Sequence, residues 1–210
     1  DFISTVSHEL RTPLTSIFGS LGLLRDPRIR ENSDQVSELL AIAHRNSERL
    51  LKLINDLLDL QRLEADGILL RAGKIRIGDL LLSVVEEIEG LARSFGIRVE
   101  LLDETAGAEM VADRERLIQV LMNLLSNAIK FSPPVETVLL GARVAGGEVQ
   151  FRVVDHGPGF PQEFRDRVFE RFAQADSSST RRAGGSGLGL AIAKGLVDRM
   201  GGTIEVCDPP

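Results

Sequence analysis

A histidine, an acid and a hydroxyl fall within five residues in Ser7-His8-Glu9-Leu10-Arg11-Thr12-Pro13-Leu14. Imidazole is a good nucleophile at neutral pH, and a carboxylate beside it can take the proton that attack releases. The flanking apolar residues Ile3, Val6, Leu10, Leu14, Ile17, Leu21 and Leu24 recur at three- and four-residue steps, as on one side of an amphipathic helix. At about 100° per residue, His8 projects away from that stripe and Thr12 sits one turn along from it. Taken alone this is a weak signal, because most surface histidines do nothing. His44 is a second helical histidine, but it lacks this company.

Three further stretches carry chemistry. Asn123-Leu124-Leu125-Ser126-Asn127-Ala128-Ile129-Lys130 sets Asn123, Asn127 and Lys130 along one helix face. Amide oxygens are hard ligands suited to Mg²⁺, and an ammonium one turn on can meet phosphate; two ordinary surface asparagines would give the same pattern. Asp155-His156-Gly157-Pro158-Gly159 follows an apolar strand pattern. Its aspartate could accept from an exocyclic amine while the glycines let a planar base approach the backbone, although a plain turn reads alike. Gly184-Gly185-Ser186-Gly187-Leu188-Gly189-Leu190 opens a helix, where freed backbone amides and the helix dipole favour anions. It lacks the Gly-Lys-Ser/Thr of a P-loop, and it does not follow a strand as a dinucleotide fingerprint should. The polar run from Gln174 to Arg182 before it reads as a lid over a ligand or as a bland surface loop.

Positioning these groups calls for two kinds of architecture. Residues 1–25 and 34–66 read as long helices, broken at Asp26-Pro27 and capped at Ser33 or Asp34. Pro13 removes a backbone donor one turn after His8, so a kink or loosening is expected there. Two amphipathic helices of this length cannot fully bury their stripes against each other. The expected solution is a homodimer in which two hairpins form a four-helix bundle. Gly67 and Gly73 bracket a hinge. Beyond it the pattern predicts a helix at 78–95, strands at 97–102 and 109–112, and a helix at 113–131. Strands at 136–145 and 148–155 flank a Gly146-Gly147 hairpin turn, followed by a helix at 187–200 and a strand at 202–207. The fold class is a two-helix hairpin followed by an α/β sandwich.

Composition narrows the function classes. The chain has 210 residues, 43% hydrophobic and 27% charged, and a formal net charge of −6, which argues against nucleic acid as its partner. A single cysteine, Cys207, excludes an internal disulfide and fits a reducing, cytoplasmic setting. No apolar run approaches the roughly 20 residues that span a bilayer. The chain starts inside a helical pattern, so we expect a piece of a longer protein whose sensor domain, and any membrane anchor, lies upstream.

In their order and spacing these motifs closely resemble the catalytic core of a two-component sensor histidine kinase. Ser7 to Leu14 matches the H box, Asn123 to Lys130 the N box, Asp155 to Gly159 the G1 box, Phe169-Glu170-Arg171-Phe172 the F box, and Gly185 to Gly189 the G2 box. The resemblance implies that His8 is phosphorylated by ATP, with Glu9 as general base and Thr12 orienting water when the same domain dephosphorylates its partner. It implies that Asn127 binds Mg²⁺ with Asn123 in support, that Lys130 contacts phosphate and that Asp155 reads the adenine amine. Gly157 and Gly159 would shape the base pocket, while Gly185, Gly187, Leu188 and Gly189 would line the phosphate side. Arg171 would reach the γ-phosphate, and Phe169 and Phe172 would pack the base of the lid. The implied domains are a dimerisation and phosphotransfer hairpin over 1–66, a hinge over 67–73 and a Bergerat-type ATP-binding domain over 74–210. The implied activity is autophosphorylation within a homodimer, transfer to an aspartate of a response-regulator receiver domain, and regulator phosphatase activity. His156 departs from the small or amide residue usual after the G1 aspartate, and is expected to fill a turn. The end at Asp208-Pro209-Pro210, where relatives continue into another strand, is a second departure. Two rivals are a conformational ATPase of the same superfamily, against which the H box argues, and a silent dimerisation module, against which the intact N, G1 and G2 boxes argue.

Overall fold

Apolar periodicity and backbone breakers divide the chain, in a computed structural model describing residues 2–65, 67–173 and 186–207, into two compact units. The first runs from Asp1 to Gln61 and the second from Arg62 to Pro210.

The first unit is a helical hairpin. Helix α1 (Phe2–Leu23) remains helical through the buried Pro13. The helix is thus not interrupted at Pro13, which has no amide to donate to the Glu9 carbonyl one turn back. At the turn, Asp26 caps a four-residue helix α2 (Pro27–Arg30) by accepting from the Arg28 amide at 2.9 Å, with Pro27 in the first helical position. Helix α3 (Ser33–Glu64) follows. Its cap is Asn32 rather than Ser33 or Asp34: the Asn32 side-chain oxygen accepts from the amides of Asp34 at 3.1 Å and Gln35 at 3.2 Å. Across the hairpin, Asn46 donates to the Ser16 hydroxyl at 3.1 Å. Among hydrophobic residues of this unit only Ala43, Leu53 and Leu60 are fully buried, whereas Leu14, Phe18, Leu21, Leu40, Leu51, Ile54 and Leu58 stay exposed.

The second unit is layered. Strand β1 (Ala72–Arg76) pairs antiparallel with β3 (Glu109–Asp113), in register Lys74 to Val111. β1 was not anticipated, and it takes Gly73 into a ladder opposite Ala112. Between them lie α4 (Ile77–Phe95), ended by Gly96 at φ 68°, and β2 (Arg98–Glu104). Helix α5 (Arg114–Phe131) then leads to β4 (Thr137–Ala145) and β5 (Glu148–Val154). The three-stranded sheet has the order β2-β4-β5, parallel at Leu101–Leu140 and antiparallel at Leu140–Val153. The Gly146-Gly147 turn has both φ values positive, 62° and 85°, as a tight hairpin requires.

Alternation sends Val138, Leu140 and Ala142 of β4 inward against Leu80, Leu81, Val84 and Ile88 of α4 and Leu117, Leu121, Leu125 and Ile129 of α5, all buried. The outward face is polar, with Arg152 lying over Gly141 and reaching Glu104. After a 3₁₀ turn at Gln162–Arg167, helix α6 (Gly189–Arg199) packs on α5 through buried Ile192 and Leu196. The strand expected at 202–207 is not formed: its residues alternate suitably, but no described strand pairs with them, and a strand exists only through its ladder.

Candidate functional site

In the hairpin, helix α1 carries His8 with its side chain 75% exposed. Its Nδ1 lies 3.8 Å from Glu9 Oε1, so Nε2 is the nitrogen turned away from the acid. Glu9 is held more deeply than His8, and its second oxygen, Oε2, lies 3.6 Å from Arg49 Nη2 on α3. The Thr12 hydroxyl donates to the His8 carbonyl at 3.2 Å, fixing it one turn from the imidazole. Arg49 was missed in the sequence. Its signal is hairpin register, since the Ser16–Asn46 contact brings the stretch of α3 beyond Asn46 alongside the first half of α1. His44 is exposed on α3 and pairs with Glu48, its neighbour one turn on, at 3.5 Å.

In the second unit, α5 is the spine of the site. Asp113 caps it, accepting from the Arg116 amide at 3.1 Å with one oxygen and from the Arg71 amide at 2.8 Å with the other. Burial pushes the Asp113 carboxyl up, but these amides and the Arg116 guanidinium outweigh it and hold the group below its ordinary value. Asn123, only 8% exposed, has a side-chain nitrogen with no hydrogen-bond partner among the described residues. One turn on, Asn127 and then Lys130 are half-buried on the same helix.

Two glycine segments close on this helix. Gly157 lies so near its end that a Cβ there would stand 3.0 Å from the Phe131 carbonyl and 2.8 Å from Asp155 Oδ1. Asp155 is exposed and accepts from the Gly157 amide at 2.7 Å; an ionised carboxylate has acceptor capacity left for an amine. Gly159 takes φ 67°. His156 is exposed, and its Nδ1 lies 3.0 Å from the Thr137 carbonyl at the start of β4.

On the other side, Gly187 adopts φ 69°, and a Cβ on it would press within 2.9 Å of the Phe172 backbone. The Phe172 amide donates to the Gly187 carbonyl at 2.9 Å, tying the F-box turn to the start of α6. Leu188 is buried, and Gly189 stands against the Asn123 side chain, with a Cβ position 3.5 Å from its oxygen. Arg171 is paired with Glu64, in the last turn of α3 and within the second unit, rather than standing apart for a phosphate. Phe169 and Phe172 are half-buried beside buried Val168. Gly185 and the Gln174–Arg182 lid lie outside the described residues.

The orphaned amide of Asn123 tests the fit of a metal-nucleotide. The orphaned atom is the Nδ2 amino group, a donor, so it is suited to a phosphate oxygen rather than to a metal ion, and a buried donor without a partner is costly. No group of three or more His, Cys, Asp or Glu that could hold a metal occurs among the described residues; the amide oxygens of Asn123 and Asn127 are hard donors of the kind Mg²⁺ takes.

A solvent-facing histidine on a helical hairpin and an amide-and-glycine cradle on a sandwich define the class: a phosphoacceptor domain joined to a nucleotide-binding ATPase fold. Residues 1–66 match the His Kinase A (phospho-acceptor) domain family, and residues 112–210 match the Histidine kinase-, DNA gyrase B-, and HSP90-like ATPase family. The chain belongs to the histidine kinases and comprises their catalytic core. It is similar to the circadian input-output histidine kinase CikA of Synechococcus elongatus, 38% identical over 98% of this chain and 28% of that protein. Among solved structures, the histidine kinase AdeS of Acinetobacter baumannii superposes with a TM-score of 0.74 at 26% identity, covering 94% of this chain and 89% of the other. Full-length ShkA in complex with AMPPNP gives 0.69 at 37% identity, covering 94% and 40%. The chain thus spans about a quarter of the length of CikA.

Proposed function

We propose that this chain uses ATP to phosphorylate its own His8 within a homodimer and passes the phosphoryl group to an aspartate on a response-regulator receiver domain. The observation that carries the reading is the His8–Glu9 pair: Nδ1 faces the carboxylate at 3.8 Å, which leaves the Nε2 lone pair for attack. In the transfer, the bond from Nε2 to the γ-phosphorus forms as the bond to the ADP oxygen breaks, and the Nδ1 proton passes to Glu9. Imidazole is itself a good nucleophile, so the neighbouring carboxylate has only to accept the proton.

ATP occupies the sandwich. Asp155 accepts from its base amine, Gly157 and Gly159 admit the ring, and the helix start at Gly187-Leu188-Gly189, with Gly185 before it, meets the phosphates. Lys130 adds positive charge on the phosphate side. Mg²⁺, held by Asn127 with Asn123 behind it, would neutralise phosphate charge. Arg171 reaches the γ-phosphate only by leaving Glu64. Thr12, one turn from His8, orients the water that hydrolyses the phosphorylated regulator. The AMPPNP held by ShkA supports the nucleotide assignment. In this reading residues 1–66 dimerise and carry the histidine, 67–73 form the hinge, 74–210 bind ATP, and the core works in the cytoplasm under an upstream sensor domain.

Incubation with γ-labelled ATP and Mg²⁺ tests the assignment. The expected product is an acid-labile, alkali-stable phosphoprotein, absent from His8→Gln and from a folded Asn127→Asp variant. Undiminished labelling of His8→Gln removes the phosphoacceptor role, and normal labelling of Asn127→Asp removes the metal role.

A further inference from the structure

Glu9 has one oxygen toward the histidine and the other toward a different helix, and that second contact has a function of its own. Among the described residues, two side-chain nitrogens lie within 4 Å of the Glu9 carboxylate: His8 Nδ1 at 3.8 Å on α1 and Arg49 Nη2 at 3.6 Å on α3. A glutamate on a helix surface has three rotatable bonds and ordinarily samples many orientations. Here the Glu9 side chain is 22% exposed, against 39% for Arg49 and 75% for His8, so the acid is the most enclosed of the three. A charge partner on the opposite helix, engaging one oxygen, keeps the other directed along α1 toward His8.

We infer that Arg49 is a positioning residue for phosphoryl transfer, acting through Glu9; the inference rests on the reading of His8 as phosphoacceptor. The guanidinium restricts Glu9 to the orientation in which Oε1 faces Nδ1. When the Nε2–phosphorus bond forms and the bond to the ADP oxygen breaks, the Nδ1 proton moves to Oε1. Arg49 belongs to the first unit and the proposed nucleotide cradle to the second, so its loss is expected to leave ATP binding alone.

The test is the initial rate of self-labelling by the chain as a function of ATP, in the wild type, Arg49→Gln, Arg49→Lys, Glu9→Gln and the double variant. General-base assistance is worth on the order of 10²–10⁴-fold, and losing its orientation forfeits a part of that. For Arg49→Gln the expected result is a kcat lowered about tenfold with an unchanged KM for ATP. Arg49→Lys should recover most of the rate, and Arg49→Gln should cost nothing further in the Glu9→Gln background. Circular dichroism on each variant reports whether the hairpin is intact. Equal losses in both backgrounds, or a raised KM with unchanged kcat, overturns the role of Arg49. An unlabelled wild type overturns the underlying reading, and this inference with it.

Discussion

Val135 is the residue whose conformation the chain type least favours. It sits at φ 71° with 91% of its surface exposed, in the loop between α5 and β4. A β-branched residue in the left-handed region costs on the order of 1–3 kcal/mol, and exposure this high brings little packing in return. What holds it is the loop itself: the Val135 amide donates to the Gly96 carbonyl at 3.1 Å, joining the end of α4 to the start of β4. Nothing in Pro133-Pro134-Val135 forecast this, because the sign of φ is set by a partner 39 positions away in sequence rather than by local propensity. Replacing Val135 with Gly should relieve the strain and outweigh the extra freedom glycine gains in the unfolded chain. The expected gain is about 1 kcal/mol, a rise of roughly 2–4 °C in the melting temperature. An unchanged or lower melting temperature in thermal unfolding would show that the strain is not stored there.

At the scale of elements, α5 carries the largest share of the site, and its start depends on one carboxylate. Asp113 satisfies the Arg116 amide at the helix N-terminus and the Arg71 amide just before β1, so it ties the beginning of the second unit to its central helix. Asn in its place keeps one acceptor and loses the charge, at a cost of about 1–2 kcal/mol at neutral pH. The sign of the pH dependence follows from a folded-state carboxyl held below its ordinary value. Its stabilisation is complete above the unfolded pKa, and it disappears as the pH falls through the folded one. Melting curves of the wild type and Asp113→Asn should therefore differ most near pH 7 and converge below about pH 4; a gap that persists in acid contradicts the charge argument.

Long periodic elements such as α1, α3, α4, α5, β4 and β5 were legible in the sequence to within a few residues, because each buries one face at a fixed period. β1 was not, since Ala72-Gly73-Lys74-Ile75-Arg76 shows no alternation that a single buried Ile75 could reveal. Nor was the Asn32 cap distinguishable from its neighbours Ser33 and Asp34. The site motifs were readable as types and spacings. The pairing of Arg171 with Glu64 and of Glu9 with Arg49 was not, because both depend on which helix turns meet.

For the whole molecule the decisive quantity is the apolar surface left on the hairpin. Phe18 is 80% exposed, and Leu14 and Leu21 flank it at four- and three-residue steps on α1. On α3, Leu40, Leu51, Ile54 and Leu58 continue a second exposed row. Between the helices a groove of about 590 Å³ is lined by Ile17, Leu21, Leu40 and Ala43 with His44 and Arg45 at its edge. A contiguous apolar face of this extent marks an interface, and in a hairpin with so few fully buried residues it is also the missing half of the core. In the proposed homodimer a second copy would supply the matching face, because a two-fold axis along the hairpin would set α1 and α3 rows against their equivalents in a four-helix bundle. Phe18→Glu combined with Leu51→Glu places two charges per chain in that seam. Sedimentation should then show a monomer where the wild type is a dimer, and the helical signal should fall while the ATP-binding sandwich keeps its melting transition. A wild type that sediments as a stable monomer, or a double variant that remains dimeric, would mean that this face is covered by something other than a second copy of the chain.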